Sequence, residues 1–300
     1  MEYQVLLYYK YIEIKDPQAV MLWQKMLCDK LRLKGRIIIA HEGINGTVEG
    51  LKKDTITYMR EMKEYESFKE IQYKKSVGTG KAFKKLSVKV RKDIVSDTIA
   101  DWKVDPTKKT GKYLKVEKLH QWIKSKKDIV IIDMRNDYEH KSGHFEGAIL
   151  LQMETFRDLP KVMPQLQQYA DKTIVTVCTG GVRCEKASGY LLKNGFKDVY
   201  QLKDGIVTYM QKYPNQDFKG KLYVFDERVV MGFRTESPEH EIVGKCVQCG
   251  LVSENYVNCT NDTCHRHVIC CERCLGKVNK FICPRGCRSF KKNIEEFEKS

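Results

Sequence analysis

Thr173-Ile174-Val175-Thr176-Val177-Cys178-Thr179-Gly180-Gly181-Val182-Arg183-Cys184-Glu185-Lys186-Ala187 is the stretch on which the reading of this chain turns. Residues 173–177 form a β-branched run that predicts a buried strand, and residues 185–193 predict a helix. Cys178 falls between the strand's carboxyl end and the helix, the usual ligand position of open parallel sheets. A cysteine is a good nucleophile only as a stabilised thiolate, which a helix N-terminus, inward backbone N–H groups and a cation all favour. Gly180 and Gly181 let the backbone curl, and Arg183 closes the loop with fixed donors for an anionic ligand. Cys178 is therefore the expected sulfur nucleophile, framed by Thr179, Gly180, Gly181 and Val182; a buried core thiol is the competing reading. Cys184 either resolves an oxidised or persulfidated Cys178 or packs at the helix start, and packing is the expectation.

Around this loop, a helix at 116–124, a strand at 129–133, a helix at 159–169 and a strand at 199–202 predict a parallel α/β domain over residues 114–218. Upstream, strands at 3–9, 36–40 and 47–49, helices opening at Asp16-Pro17 and covering 54–65, and a last strand at 85–90 give the order βαββαβ. That order predicts a ferredoxin-like α+β domain over residues 1–95. Residues 96–113, with Pro106, Gly111 and little apolar periodicity, read as a linker, and residues 219–300 as a C-terminal extension. Near its start, residues 223–229 read as a strand able to dock on another domain. Asp133 and Arg135 are expected to be a scaffold ion pair, His144 structural, and Cys28 a core thiol.

The net charge of +15 implies attraction to polyanions, because each lysine or arginine that meets a phosphate releases counterions. Eight basic residues lie between Lys74 and Lys92. Lys81, Lys84, Lys85, Lys89 and Arg91 are the expected tRNA contacts, against the blander reading of a solvated charged hairpin. With 42% hydrophobic and 31% charged residues the chain is expected to fold. No run reaches the roughly 18 apolar residues of a membrane span, and Met1-Glu2-Tyr3-Gln4 has no basic-then-apolar order, so a cytoplasmic chain without membrane association is expected.

Nine of the twelve cysteines fall between Cys246 and Cys287. Clustering of that kind favours metal over disulfides. Zinc takes four thiolate or imidazole ligands, commonly delivered as close pairs. One pairing joins Cys246 and Cys249 with Cys271 and Cys274, leaving Cys259, Cys264, Cys283 and Cys287 for a second ion; His265, His267 and Cys270 are possible substitutes. One or two structural zinc ions would then supply the folding free energy of a module with few large apolar residues.

Asp133-Met134-Arg135 and Gly143-His144-Phe145-Glu146-Gly147-Ala148, together with the Cys178 loop, resemble the rhodanese pattern. Tyrosine phosphatases close a similar loop with arginine, but one residue longer. Over the whole chain, Gly35 to Thr47, Thr155-Phe156-Arg157-Asp158, the continuation Arg183-Cys184-Glu185-Lys186-Ala187 and Phe225-Asp226-Glu227-Arg228 resemble the rhodanese-related tRNA uridine hydroxylases. The resemblance implies an acylphosphatase-like N-terminal domain, a rhodanese-like centre and a zinc-binding tail. It also implies oxygen-dependent conversion of the wobble uridine of tRNA to 5-hydroxyuridine, with O2 as co-substrate and Cys178 as persulfide intermediate. The electron donor, the upstream sulfur donor and the oligomeric state are left unassigned. The arginine-bearing phosphate loop of acylphosphatases is absent between the first strand and helix, so the N-terminal domain is expected to bind tRNA and not to hydrolyse. The alternatives are a thiosulfate or persulfide sulfurtransferase, which needs only the Cys178 loop, and a non-enzymatic RNA-binding or zinc-mediated interaction protein.

Overall fold

A computed structural model describes residues 2–95, 104–261, 263, 264, 266–277 and 280–283. In the N-terminal unit, β1 (Tyr3–Tyr11), α1 (Pro17–Lys30), β2 (Lys34–Ala40), β3 (Gly43–Leu51), α2 (Lys52–Glu64), β4 (Lys74–Val77) and β5 (Leu86–Val90) build one sheet in the order β4-β1-β3-β2-β5. Asp16 starts α1 by accepting the Gln18 and Ala19 N–H groups, and Pro17 occupies its first turn. The four antiparallel strands complete the ferredoxin-like order, but the closing strand is β4, not residues 85–90. Those residues form β5, an added strand parallel to β2. β4 escaped the sequence reading because Lys74-Lys75-Ser76-Val77 carries no apolar alternation.

The sheet has two faces with different duties. Leu6, Tyr8, Ile37, Ile39 and Val48 pack beneath the helices. Side chains alternate across a strand, so Leu7, Tyr9 and Tyr11 point from the opposite face, which no helix of this unit covers.

The central unit comprises β6 (Lys112–Leu114), α3 (Val116–Lys124), β7 (Ile129–Asp133), α4 (Asp137–His140), β8 (Gly143–Phe145), β9 (Ile149–Leu150), α5 (Leu159–Leu166), β10 (Thr173–Val177), α6 (Val182–Lys193), β11 (Asp198–Leu202) and α7 (Gly205–Lys212). Its sheet, β6-β11-β10-β7-β9, is parallel at every pairing. Lys112 and Tyr113, inside the expected linker, belong to β6, whose lysine and tyrosine conceal the strand in sequence; residues 96–103 lie outside the described residues. Two clusters of buried side chains fill this unit, with Ile132, Ile174, Leu191 and Val199 in one and Ile131, Val175, Val177 and Leu202 in the other.

Downstream, β12 (Phe218–Gly220) pairs with β8, β13 (Leu222–Tyr223) with β14 (Val230–Met231), and β15 (Tyr256–Asn258) with β16 (His267–Ile269), followed by α8 (Glu272–Leu275). The strand expected at 223–229 is thus a short hairpin. Its turn, Phe225-Asp226-Glu227-Arg228, docks on the N-terminal unit: Arg228 Nη1 donates to Ser76 Oγ and the Val77 carbonyl, both at 3.0 Å, and the Glu227 N–H donates to the Ala82 carbonyl. Among the described residues, no helix is long and apolar enough to cross a membrane.

Asp133 and Arg135 are both fully buried, with the guanidinium forked on the carboxylate at 2.6–3.0 Å and Nη2 also reaching the Gly143 carbonyl at 2.7 Å. Burial pushes the Asp133 carboxyl up, but Arg135 outweighs it and holds the carboxyl below its usual range. Arg135→Met strands that carboxylate, and is expected to remove about 3–5 kcal/mol of stability; chemical denaturation of wild type and variant measures it, and a loss under about 1 kcal/mol would refute this role for the pair.

Candidate active site

β10 ends at Val177, and the chain turns at once into Cys178, which is 1% exposed. The Gly181 N–H points back to Cys178 Sγ at 3.2 Å. Gly181 caps α6 at φ +100°, where a side chain would be strained and would meet Tyr9 Oη. From below, the first turn of α7 holds the loop, with Ile206 and Val207 N–H groups donating to the Cys178 and Thr179 carbonyls. Gly205, at φ +74°, lies so close to Gly180 that a β-carbon there would be 2.6 Å from its backbone.

Burial pushes the Cys178 thiol up, yet the Cys184 thiol, the Arg183 charge and the N–H groups of both residues bring it down to about 6. Cys184 is fully buried and held well above the usual thiol range by burial and by Cys178, so it stays protonated and donates. It is packed in the core cluster that also contains Cys178. Arg183 closes the loop with a partner the sequence did not indicate: its guanidinium is forked on Glu139, at 2.5 and 2.8 Å, with Thr179 Oγ1 at 3.4 Å. Its charge thus stands beside Cys178 while one donor of each terminal nitrogen is given to a carboxylate. Glu139 also accepts the Asn136 N–H in the capping box that starts α4.

The helix-free face of the N-terminal sheet lies over this loop. A β-carbon on Gly180 would meet Leu7 at 2.8 Å; Tyr11 Oη donates to the Val182 carbonyl, and Tyr9 Oη to Glu185 at 3.0 Å. Glu185, buried, also accepts from Tyr113, Gln201 and Thr110 at 2.9–3.2 Å. Lys186, 1% exposed, is paired with Glu42 of the N-terminal unit at 2.8 Å. Lys74 on β4 is buried, paired with Asp204 at 3.1 Å and set over the Tyr9 ring. Sequence reasoning missed Tyr9, Lys74, Glu139 and Glu185 as parts of this site. Glu185 and Lys186 had a signal, the continuation after Arg183; Lys74 had none, lying among surface lysines.

Of the expected basic contacts, Lys84, Lys85, Lys89 and Arg91 line one groove of about 1040 Å³, whereas Lys81 is exposed outside it.

In the tail, the Sγ atoms of Cys246, Cys249, Cys271 and Cys274 lie within 4.8 Å of one another, and so do those of Cys259, Cys264 and Cys283. Neighbouring sulfurs approach to 3.6 and 3.7 Å. Thiolates at about 2.3 Å from a tetrahedral ion are separated by about this much, so both groups can hold a metal ion. Cys287 and His265 lie outside the described residues. Cys270 stands outside the quartet, with Sγ 4.0 Å from Cys246, and His267 faces Tyr223 Oη at 2.9 Å.

A cysteine loop on a parallel sheet, roofed by a ferredoxin-like sheet and followed by a cysteine-rich module, defines a rhodanese-type protein with two accessory units. Family models match in the same order: "UPF0176 acylphosphatase like domain" over residues 3–94, "Rhodanese-like domain" over 115–212 and "Rhodanase C-terminal" over 219–288. A curated Cytophaga hutchinsonii protein named tRNA uridine(34) hydroxylase is 42% identical over 96% of this chain and 90% of its own length. Proteins of the same name from Bacillus licheniformis and Staphylococcus carnosus are 41% and 39% identical over 98% and 100% of the chain, and 90% and 96% of their own. The chain belongs to the tRNA uridine(34) hydroxylase family.

Two outcomes follow from the site. The ultraviolet thiolate absorbance lost in Cys178→Ala should titrate with a midpoint near 6, and Cys184→Ala should move that midpoint up by removing the donor; a midpoint in the ordinary thiol range near 8.5 would rule out the stabilised thiolate. Cys249→Ser should lower metal content by about one ion per chain in elemental analysis, and an unchanged content would exclude the quartet.

Proposed function

We propose that this protein hydroxylates uridine 34 of tRNA to 5-hydroxyuridine, with Cys178 as the sulfur-bearing nucleophile. The observation that carries this reading is the identity of about 40% with proteins of that name over nearly the whole chain, accessory units included. Relatives that shared the Cys178 loop alone would support no more than sulfur transfer.

Replacing C5–H by C5–OH takes one oxygen atom; with dioxygen as co-substrate the other leaves as water, using two electrons and two protons from a donor yet to be named. Cys178, ionised near neutrality, attacks the sulfane sulfur of an upstream donor to form a persulfide, and the donor leaves with the displaced electron pair. The Gly181 N–H and the Arg183 charge stabilise the anion, Thr179, Gly180 and Val182 shape its loop, and Cys184 donates to it without leaving the core. The Glu139 carboxylate fixes the Arg183 fork, so Arg183 acts on Cys178 by position and charge.

Lys81, Lys84, Lys85, Lys89 and Arg91 bind the tRNA backbone in this reading. Zinc is the ion assigned to the cysteine groups, with Cys287 as fourth ligand of the second, and its part is to fold the tail. The reaction is placed in the cytoplasm, with tRNA.

Deleting the gene and quantifying 5-hydroxyuridine in purified tRNA by mass spectrometry tests the proposal. Loss of the nucleoside, restored by wild type and not by Cys178→Ala, is the expected outcome; an undiminished level in the deletion strain would return the Cys178 loop to sulfur transfer.

A further inference from the structure

The groove of about 1040 Å³ is bounded by all three units. One wall is the helix-free face of β2 and β5. Arg36 stands opposite Ser87 and Ile38 opposite Lys89 in register, so alternation sets Lys85, Lys89 and Arg91 in a row beside Arg36. The facing wall combines Tyr138 on α4 and Lys141 just after it with Arg266 and His267 from the segment between Cys264 and Cys270. Phe225 also lines the groove and is 47% exposed.

The groove's carboxylates are already engaged. Glu227 pairs with Lys84, Asp137 with Lys141, Glu154 with Arg266 and Asp226 with Arg228. Arg36, Lys85, Lys89 and Arg91 have no carboxylate partner among the described residues, so the surplus charge is a row of four cations along one wall. Such a row suits phosphates, each of which exchanges its counterions for a side chain.

Phe225 separates this groove from the sulfur loop. Its ring stands 6.0 Å from Arg183 Cζ, and it also lines a cavity of about 60 Å³ shared with Thr179 and Lys74. An exposed ring lining a basic groove offers an apolar face that a base can cover only when unpaired. An acidic peptide would satisfy the cations but leave the ring exposed.

We propose that the groove holds a single-stranded loop of the RNA substrate across all three units, with the base to be modified stacked on Phe225. The cysteine-rich module is then a wall of the RNA site, through Arg266 and His267, as well as a metal-stabilised tail. This inference rests on tRNA being the substrate, and it adds where the loop lies and which base-contacting side chain receives it.

The test uses the full-length protein, with metal content and thermal midpoint matched between variants, and a fluorescent anticodon stem-loop RNA with uridine at position 34. Phe225→Leu should weaken binding about tenfold with an unchanged salt slope, and Phe225→Tyr should restore it, since stacking carries no net charge. Lys89→Gln should weaken binding and lower the salt slope by about one, and Arg266→Gln, which removes a charge already paired with Glu154, should weaken binding with a smaller change of slope. Lys172→Gln, at the opposite end of β10 from Cys178, should change neither. Full affinity in Phe225→Leu, equal affinity for a duplex without a loop, or equally effective competition by polyglutamate overturns the proposal while leaving tRNA hydroxylation standing. Wild type that fails to bind the stem-loop overturns both.

Discussion

One carboxylate joins the parts of this molecule that chemistry needs together. Glu185, in the first turns of α6, is buried and receives hydroxyl and amide donors from Tyr9, Thr110, Tyr113 and Gln201. Those donors come from the N-terminal sheet, from the approach to the central sheet and from two of its strands. A buried carboxylate is costly without such donors, so the arrangement is close to all-or-none. The helix that begins beside Cys178 is thereby tied to the roof above it, and the Lys186 to Glu42 pair adds a second tie one residue on.

The same economy appears on the other side of the loop. Glu139 accepts from the backbone that starts α4 and from the Arg183 fork, so one residue sets a helix and fixes the cation nearest the sulfur. Arg135, four residues earlier, holds Asp133 at the end of β7 and the Gly143 carbonyl that leads into β8. Two arginine–carboxylate pairs therefore frame the site, one maintaining the sheet and one maintaining the charge around Cys178.

The central fold was legible because β-branched runs such as residues 173–177 and 129–133 are buried on both faces and leave an unambiguous trace. The Cys178 loop and the first cysteine quartet were legible because glycine and cysteine spacing expresses backbone geometry and ligand number directly. What stayed hidden depends on tertiary contacts. Lys112–Leu114 and Lys74–Val77 are strands made so by their neighbours, and a lysine buried against a tyrosine ring looks in sequence like any surface lysine. The Arg183–Glu139 fork stayed hidden for a related reason: Glu139 is distant in sequence and belongs to a helix of four residues.

β1 has no idle side. Leu6 and Tyr8 belong to the core under α1 and α2, while Leu7, Tyr9 and Tyr11 serve the sulfur loop, and the two sets interleave residue by residue. Inserting or deleting one residue within the strand would exchange the sets, turning Leu7 and Tyr9 under the helices and Leu6 and Tyr8 over the cysteine. The strand thus works as a ruler shared by two domains: drift in one domain's packing is limited by the other's, and the accessory unit is bound to evolve with the loop it covers as a single piece.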